Sequence, residues 1–215
     1  MNSERTYRAL MDERWNLEDL YEFPHTFSQA HSFIYCLDFD EDENNAERVN
    51  FSLTNYPWQG GYSYTNIYTV FQNRIHPDDR PKIAEIKYAS PGWIDILMNP
   101  IVALKVAQSV GILIGCGVAA VEAYKRIDKA RLEIAYNRKK QQMEFAQFSA
   151  NETKYINEMS NEIAKNIGFS SLASLQKRTG NPEVTLKLLL AHNRRLRKLA
   201  DYVIEGKISL PNKLK

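Results

Sequence analysis

The chain has 215 residues, 44% hydrophobic and 25% charged, with 28 basic and 26 acidic side chains. This composition excludes wholesale disorder, collagen and low-complexity architectures, and the length is enough to bury a substantial core. Cys36 and Cys116 form no CxxC pair, which argues against a disulfide framework or a structural zinc site and fits a reducing cytoplasm. Met1–Trp15 is polar and lacks the apolar region of a secretory signal.

The near-neutral total hides a division. Residues 1–100 carry 8 basic and 16 acidic side chains, whereas residues 101–215 carry 20 basic and 10 acidic. Such asymmetry suggests two modules, with a boundary expected near residues 98 and 99. It also suggests either an anionic partner for the second half or attraction between the halves, within one chain or between copies.

The first module begins with Trp15, Leu17, Leu20, Tyr21 and Phe23. Asn16 stands as a helix cap, followed by Glu18 and Asp19 in the first turn. Pro24 is expected to interrupt this helix. Beyond it the pattern predicts a helix over 24–32 and a strand over 33–39, because Phe33, Tyr35, Leu37 and Phe39 alternate. Asp38–Glu47 is an acidic loop. It fails the calcium-loop pattern, since Glu43 and Val49 occupy the positions that need Gly and Glu. Tyr56–Tyr64 is aromatic and turn-rich, but no basic residue lies between Arg48 and Arg74, so it reads as packing at a domain edge. Thr65 is expected to cap a helix over 66–75. His76-Pro77-Asp78-Asp79-Arg80 then ends it, and the His with two carboxylates is the one grouping with the ingredients of acid–base chemistry. Lys82–Tyr88 and Trp93–Leu97 both alternate around Ala89-Ser90-Pro91-Gly92. This predicts a β-hairpin in which Pro91 fixes a turn angle and Gly92 supplies a positive φ.

In the second module, residues 101–121 hold one charge, Lys105, and reach a mean hydropathy of about +1.9 over the best nineteen-residue window. Such a segment either is buried in protein or crosses a bilayer, and the basic run Lys125, Arg126, Lys129 and Arg131 would suit a cytoplasmic flank. Gly111 and Gly115 form a small-xxx-small pair that lets helices approach closely. Lys105, Gln108 and the glycines favour a helix buried against protein. Val106, Val110, Gly111, Leu113, Ile114, Gly115 and Val118 are the expected self-association residues. A charged helix follows over 122–148, then a helix over 152–167 capped by Asn151 and ended by Gly168. The last helix starts at Asn181-Pro182-Glu183 and carries Leu186, Leu189, Leu190, Leu196, Leu199 and Val203 on its apolar face. Arg194, Arg195, Arg197 and Lys198 cluster on it as a candidate anion-binding group, with non-specific nucleic-acid binding as one reading and a solvated face as the other.

The run Ile86-Lys87-Tyr88-Ala89-Ser90-Pro91-Gly92-Trp93-Ile94-Asp95-Ile96, the Gly-bearing apolar stretch and the charged helix together resemble a loose group of small bacterial proteins. The likeness covers residues 82–145. It implies a sensor or effector role in bacterial conflict or phage defence, and it carries over no catalytic residues. No phosphate loop, nucleophile elbow, HExxH or dinucleotide fingerprint occurs, so no cofactor or metal is expected.

The expectation is therefore an α+β protein. A small sheet module with a hairpin spans residues 1–98 and a helical region spans 99–215. It acts without enzymatic chemistry, through self-association or a partner protein in the cytoplasm. A membrane-perturbing effector at the inner membrane and a nucleic-acid binder are the alternatives. His76, Asp78 and Asp79 are the residues on which an enzymatic reading would rest.

Overall fold

The computed structural model describes residues 6–12, 14–39, 47, 49–51, 53, 67–140 and 149–212. The acidic loop beyond Phe39, the aromatic stretch at 56–64, the Thr65 cap and the end of the charged helix lie outside the described residues.

The fold is α+β, with a small antiparallel sheet and a mostly helical body. The elements are β1 (Thr6–Met11), α1 (Leu17–Leu37), α2 (Ile67–Arg74), β2 (Lys82–Lys87), β3 (Gly92–Leu97), α3 (Pro100–Lys140), α4 (Ala150–Asn166), α5 (Leu172–Thr179), α6 (Pro182–Ile204) and β4 (Ile208–Ser209). The sheet order is β2-β3-β1-β4. Alternation sorts its side chains. Tyr7, Ala9, Met11, Ile94 and Ile96 are buried on the inner face, where Tyr7 stacks on Phe27 of α1 with ring centres 5.7 Å apart. On the outer face the cross-strand partners Arg8 and Asp95 form a bidentate ion pair at 2.7 and 2.6 Å. Trp93 lies between two cations there, Arg8 at 4.5 Å and Lys87 at 4.3 Å from its ring centre.

The expected hairpin is present as β2 and β3, but Gly92 serves it differently from the expectation. It is not among the positive-φ glycines. A side chain there would overlap the Lys87 carbonyl oxygen and lie 2.7 Å from the Ala89 carbonyl oxygen. The turn needs glycine for space, not for handedness. Two strands had no clear sequence signal. β1 sits in a segment that reads as polar, and β4 has only two residues.

The strand expected over 33–39 is instead the end of α1, which runs unbroken from Leu17 through Pro24 to Leu37. Asn16 caps it as expected, accepting from the Asp19 amide at 2.8 Å while Asp19 accepts from the Asn16 amide at 3.0 Å. Phe23, Phe27, Ala30, Phe33, Ile34 and Leu37 are all buried. A helix covered on several sides carries apolar residues at every spacing, so the alternation of Phe33, Tyr35 and Leu37 does not distinguish strand from helix.

The cap of α4 also differs from the expected Asn151. Ser149 is the N-cap and forms a reciprocal box with Glu152, whose carboxylate accepts from the Ser149 amide at 2.9 Å. Gly168 follows the helix at φ 65°, as expected of a terminating glycine. Asn181 caps α6, accepting from the amides of Glu183 at 2.9 Å and Val184 at 3.2 Å, with Pro182 in the first turn.

The core is continuous across the expected boundary at residue 98. Buried residues of β1, α1, α2 and β3 form one cluster with those of α3, α4 and α6. The C-terminal β4 closes the sheet against Met11. α1 and α6 run antiparallel and meet at a series of matched pairs. His192 stacks on Phe33 with ring centres 4.1 Å apart, Arg195 donates to Gln29 at 2.9 Å, and Lys198 pairs with Glu22 at 2.8 Å.

Phe33→Ala is expected to lower unfolding free energy by about 3–5 kcal/mol, since it empties a fully enclosed site. Lys198→Ala removes an ion pair whose lysine is 53% exposed and is expected to cost less than about 1 kcal/mol. Gly92→Ala is expected to cost about 1–3 kcal/mol through steric overlap in the hairpin. Urea unfolding of the three variants checks these values, and equal effects of Phe33→Ala and Lys198→Ala would contradict the assignment of stability to the aromatic contact.

Candidate interaction face on the apolar helix

α3 contains the apolar segment and packs on α1, α4, α6 and β1. Its two sides have different fates. Of the expected self-association residues, Val106, Val110 and Leu113 turn inward, at 0%, 2% and 6% exposure, and Ile114 is half-buried. Gly111, Gly115 and Val118 lie on the open side with Ile101, Gln108, Ile112 and Ala119. The structure thus does not bring the seven together on one face. It splits them into residues that build this chain's own core and residues that build an outward stripe.

From Ile101 to Gly115 the open positions follow helical spacing and, apart from Gln108, are apolar or small, whereas Val118 and Ala119 lie beyond the non-helical Gly117. Ile101 is 51% exposed, Ile112 43% and Val118 72%. A Cβ built on Gly111 or Gly115 would meet nothing within 4 Å. Neither glycine is needed for packing inside the chain, although each lowers the intrinsic stability of a helix by about 1 kcal/mol relative to alanine.

Gly117 interrupts α3 at φ 54° and ψ −136°, a conformation outside the helical region and rarely adopted by side-chain-bearing residues. A groove of about 300 Å³ opens beside the break, between α3 and α6. Leu113, Ile114, Val118 and Val121 line one wall and Ala200 and Ile204 the other, with Arg197 and Asp201 at the rim. Burial pushes the Asp201 carboxyl up, against the pull of nearby Arg197. The helix is long and apolar enough to cross a membrane by composition, but only 39% of its most apolar window is buried in the fold. Pro100–Cys116, the part before the break, extends about 25 Å at 1.5 Å per residue, less than the roughly 30 Å of a bilayer core.

The basic residues of α6 turn to different neighbours. Arg194 donates to the Tyr124 hydroxyl at 3.0 Å, and Arg197 lies 5.3 Å from the centre of the same ring. Arg195 reaches Gln29 and packs 4.6 Å from the Tyr68 ring centre, while Lys198 holds Glu22. Each cation has a partner within the chain, and of the four Arg194 and Lys198 are exposed.

His76 and Asp78 sit on an exposed turn, their charged atoms 3.6 Å apart, with 67% and 72% of their side chains in solvent. Asp79 accepts from the Tyr35 hydroxyl at 3.1 Å. The structure places the three residues on the end of α2, where Arg80 braces the turn by donating to the Ile75 and Asn73 carbonyls at 3.0 and 3.2 Å. Among the described residues no group of three or more His, Cys, Asp or Glu is arranged to hold a metal ion.

Sequence reasoning passed over two other histidines. His31 and His192 are 0% and 1% exposed, and both nitrogens of His31 and Nδ1 of His192 lack a hydrogen-bond partner. Burial pushes both imidazoles down to about 3, with Arg195 adding to the effect on His192. The apolar face of α1 around His31 was the available signal.

These histidines predict acid sensitivity. The native state holds them neutral, whereas unfolded histidines take up protons below about 6.5. Their contribution to stability is therefore complete above that pH and is lost as pH falls towards 3. Urea midpoints at pH 7.5 and 5 are expected to show a marked drop, which a His31→Gln/His192→Gln double variant attenuates. A flat wild-type response would contradict it. In comparisons with known proteins, no family model matches the chain, and no curated protein or solved structure does so either.

Proposed function

We propose that this chain is a non-enzymatic interaction protein that works by self-association through the outer face of α3. The observation that carries this reading is the mostly apolar stripe from Ile101 to Gly115, left open on a helix whose other side is the floor of the core. Exposed apolar surface costs about 25 cal/mol per Å², so an occupant that covers the stripe gains free energy.

A second copy of the chain suits it. An antiparallel pair about a twofold axis sets Gly111 of each copy against Gly115 of the other. The absence of side chains there lets the two backbones approach closely. The sequence resemblance of residues 82–145 to a loose group of small bacterial proteins is the ground for adding a sensor or effector role in phage defence, in the cytoplasm, to this proposal.

Gly115→Leu separates assembly from folding. A Cβ at Gly115 meets nothing within 4 Å and the position is exposed, so the fold is expected to survive with unchanged or slightly higher thermal stability, while association weakens at least tenfold. Solution mass of detergent-free protein, wild type against variant, is the test. Equal association of the two contradicts the proposal. Recovery of the wild type only with membranes overturns it in favour of a membrane-inserted effector, with Lys125, Arg126 and Lys129 at the headgroups.

A further inference from the structure

β2 forms one border of the sheet, and among the described residues no strand pairs with its outer edge. All six of its residues are exposed. Pairing with β3 assigns its side chains to faces. Ile83 and Ile86 stand opposite the inward-facing Ile96 and Ile94, while Lys82, Glu85 and Lys87 stand opposite Leu97, Asp95 and Trp93. Yet Ile83 remains 49% exposed and Ile86 41%, so the inner side of this strand is not closed over by the helical body. An edge with free N–H and C=O groups and apolar side chains is a template for another strand.

We infer that β2 is a docking edge for β2 of a second copy of this chain, the two strands running antiparallel about a twofold axis at Ile86. Charge selects that register. With the axis at Ile86, the isoleucines of the two copies face each other on the inner side. On the outer side Glu85 of each copy stands opposite Lys87 of the other, giving two pairs of opposite charge. An axis between Ala84 and Glu85 would instead set Lys82 against Lys87, like against like. The ladder between β2 and β3 shifts between Ile83 and Glu85, and such an irregularity disrupts pairing on its own stretch of the edge. It leaves Glu85 to Lys87 as the regular part, which is the part the Ile86 register uses. The partner is thus a second copy, and the recognition is main-chain pairing with charge-specified register.

This pairing does not depend on the α3 contact. It goes beyond the proposed function by giving one chain two separate self-complementary surfaces, which permits assemblies larger than a dimer.

The test uses the full chain carrying Gly115→Leu, which removes the α3 contact and leaves β2 intact. That protein is expected to remain dimeric in solution. Adding Glu85→Lys or Lys87→Glu alone places like charges opposite each other and is expected to weaken the dimer at least tenfold. The double change Glu85→Lys/Lys87→Glu restores opposite charges and is expected to recover it. A monomeric Gly115→Leu chain, single changes without effect, or a double variant that fails to recover would each overturn the inference. Amide exchange of wild-type residues 85–88 supplies a check without substitutions. Protection is expected to rise with protein concentration, and protection independent of concentration would also overturn it. Failure of the α3 proposal is read separately, from equal association of wild type and Gly115→Leu.

Discussion

The antiparallel contact between α1 and α6 organises the rest of the molecule. It joins a helix near the start of the chain to one near its end, and it does so with graded contacts. At its centre His192 lies flat on Phe33, interplanar angle 5°, inside the core. Towards the other end Phe23 and Tyr202 meet edge-on at 5.7 Å, and Trp15 stacks on Tyr202 at 5.7 Å. Trp15 donates through its indole nitrogen to the carbonyls of Asp12 and Lys207, tying the exit of β1 to the approach to β4. Full burial of a large side chain is worth about 1.5–3 kcal/mol, so these rings supply most of the contact energy. The flanking Glu22–Lys198 pair is exposed enough to contribute little, and its effect is on register.

Part of the charge division is met inside the chain. Acidic residues in α1 and at its C-cap find basic residues from the second half. Asp19 pairs with Lys207 at 3.0 Å, Glu22 with Lys198 at 2.8 Å, and Asp38 with Lys105 at 3.4 Å. Burial pushes the Asp19 carboxyl up, but the Asn16 amide and the Lys207 ammonium outweigh it and hold it below its ordinary range. Asp38 is also a junction, accepting from Ser170 Oγ at 2.8 Å and from the Ser171 amide at 2.9 Å. It therefore joins the end of α1, the start of α3 and the turn before α5. Three of the charges behind the asymmetry that suggested an anionic partner are thus paired inside the chain.

The sequence revealed what depends on neighbours a few residues apart. The Asn16 and Asn181 caps and the hairpin arise from local pattern, and each stands in the structure, whereas the apolar helix expected over 101–121 is broken at Gly117 and the segment continues to Lys140. What depends on distant contacts was less legible. Pro24 is tolerated because α1 is held on both sides of it, a condition set by α6, α2 and the sheet. β1 had no strong alternation to announce it, and becomes a strand between β3 and β4. For the candidate site, hydropathy marked the right segment but not its division into faces. Val106 and Gly111 look equally suited to a contact until the positions of α1 and α6 decide which side is already covered.

The geometry of α3 sets what each way of covering its open side would ask of the fold. The inner row, Val102, Val106, Val110 and Leu113, is at most 6% exposed and closes the core beneath α1 and β1. Moving the helix into lipid would transfer that row from one apolar environment to another, with little gain, and would strip cover from Phe27, Ile34 and the sheet. A contact made by the outer stripe alone leaves those residues in place. The break at Gly117 is held by buried neighbours on both sides, Leu113 before it and Ala120 and Tyr124 after it. The stripe is thus presented by an already folded support and loses little conformational freedom on association. We propose cover from outside for this helix because it asks for no rearrangement of the inner row.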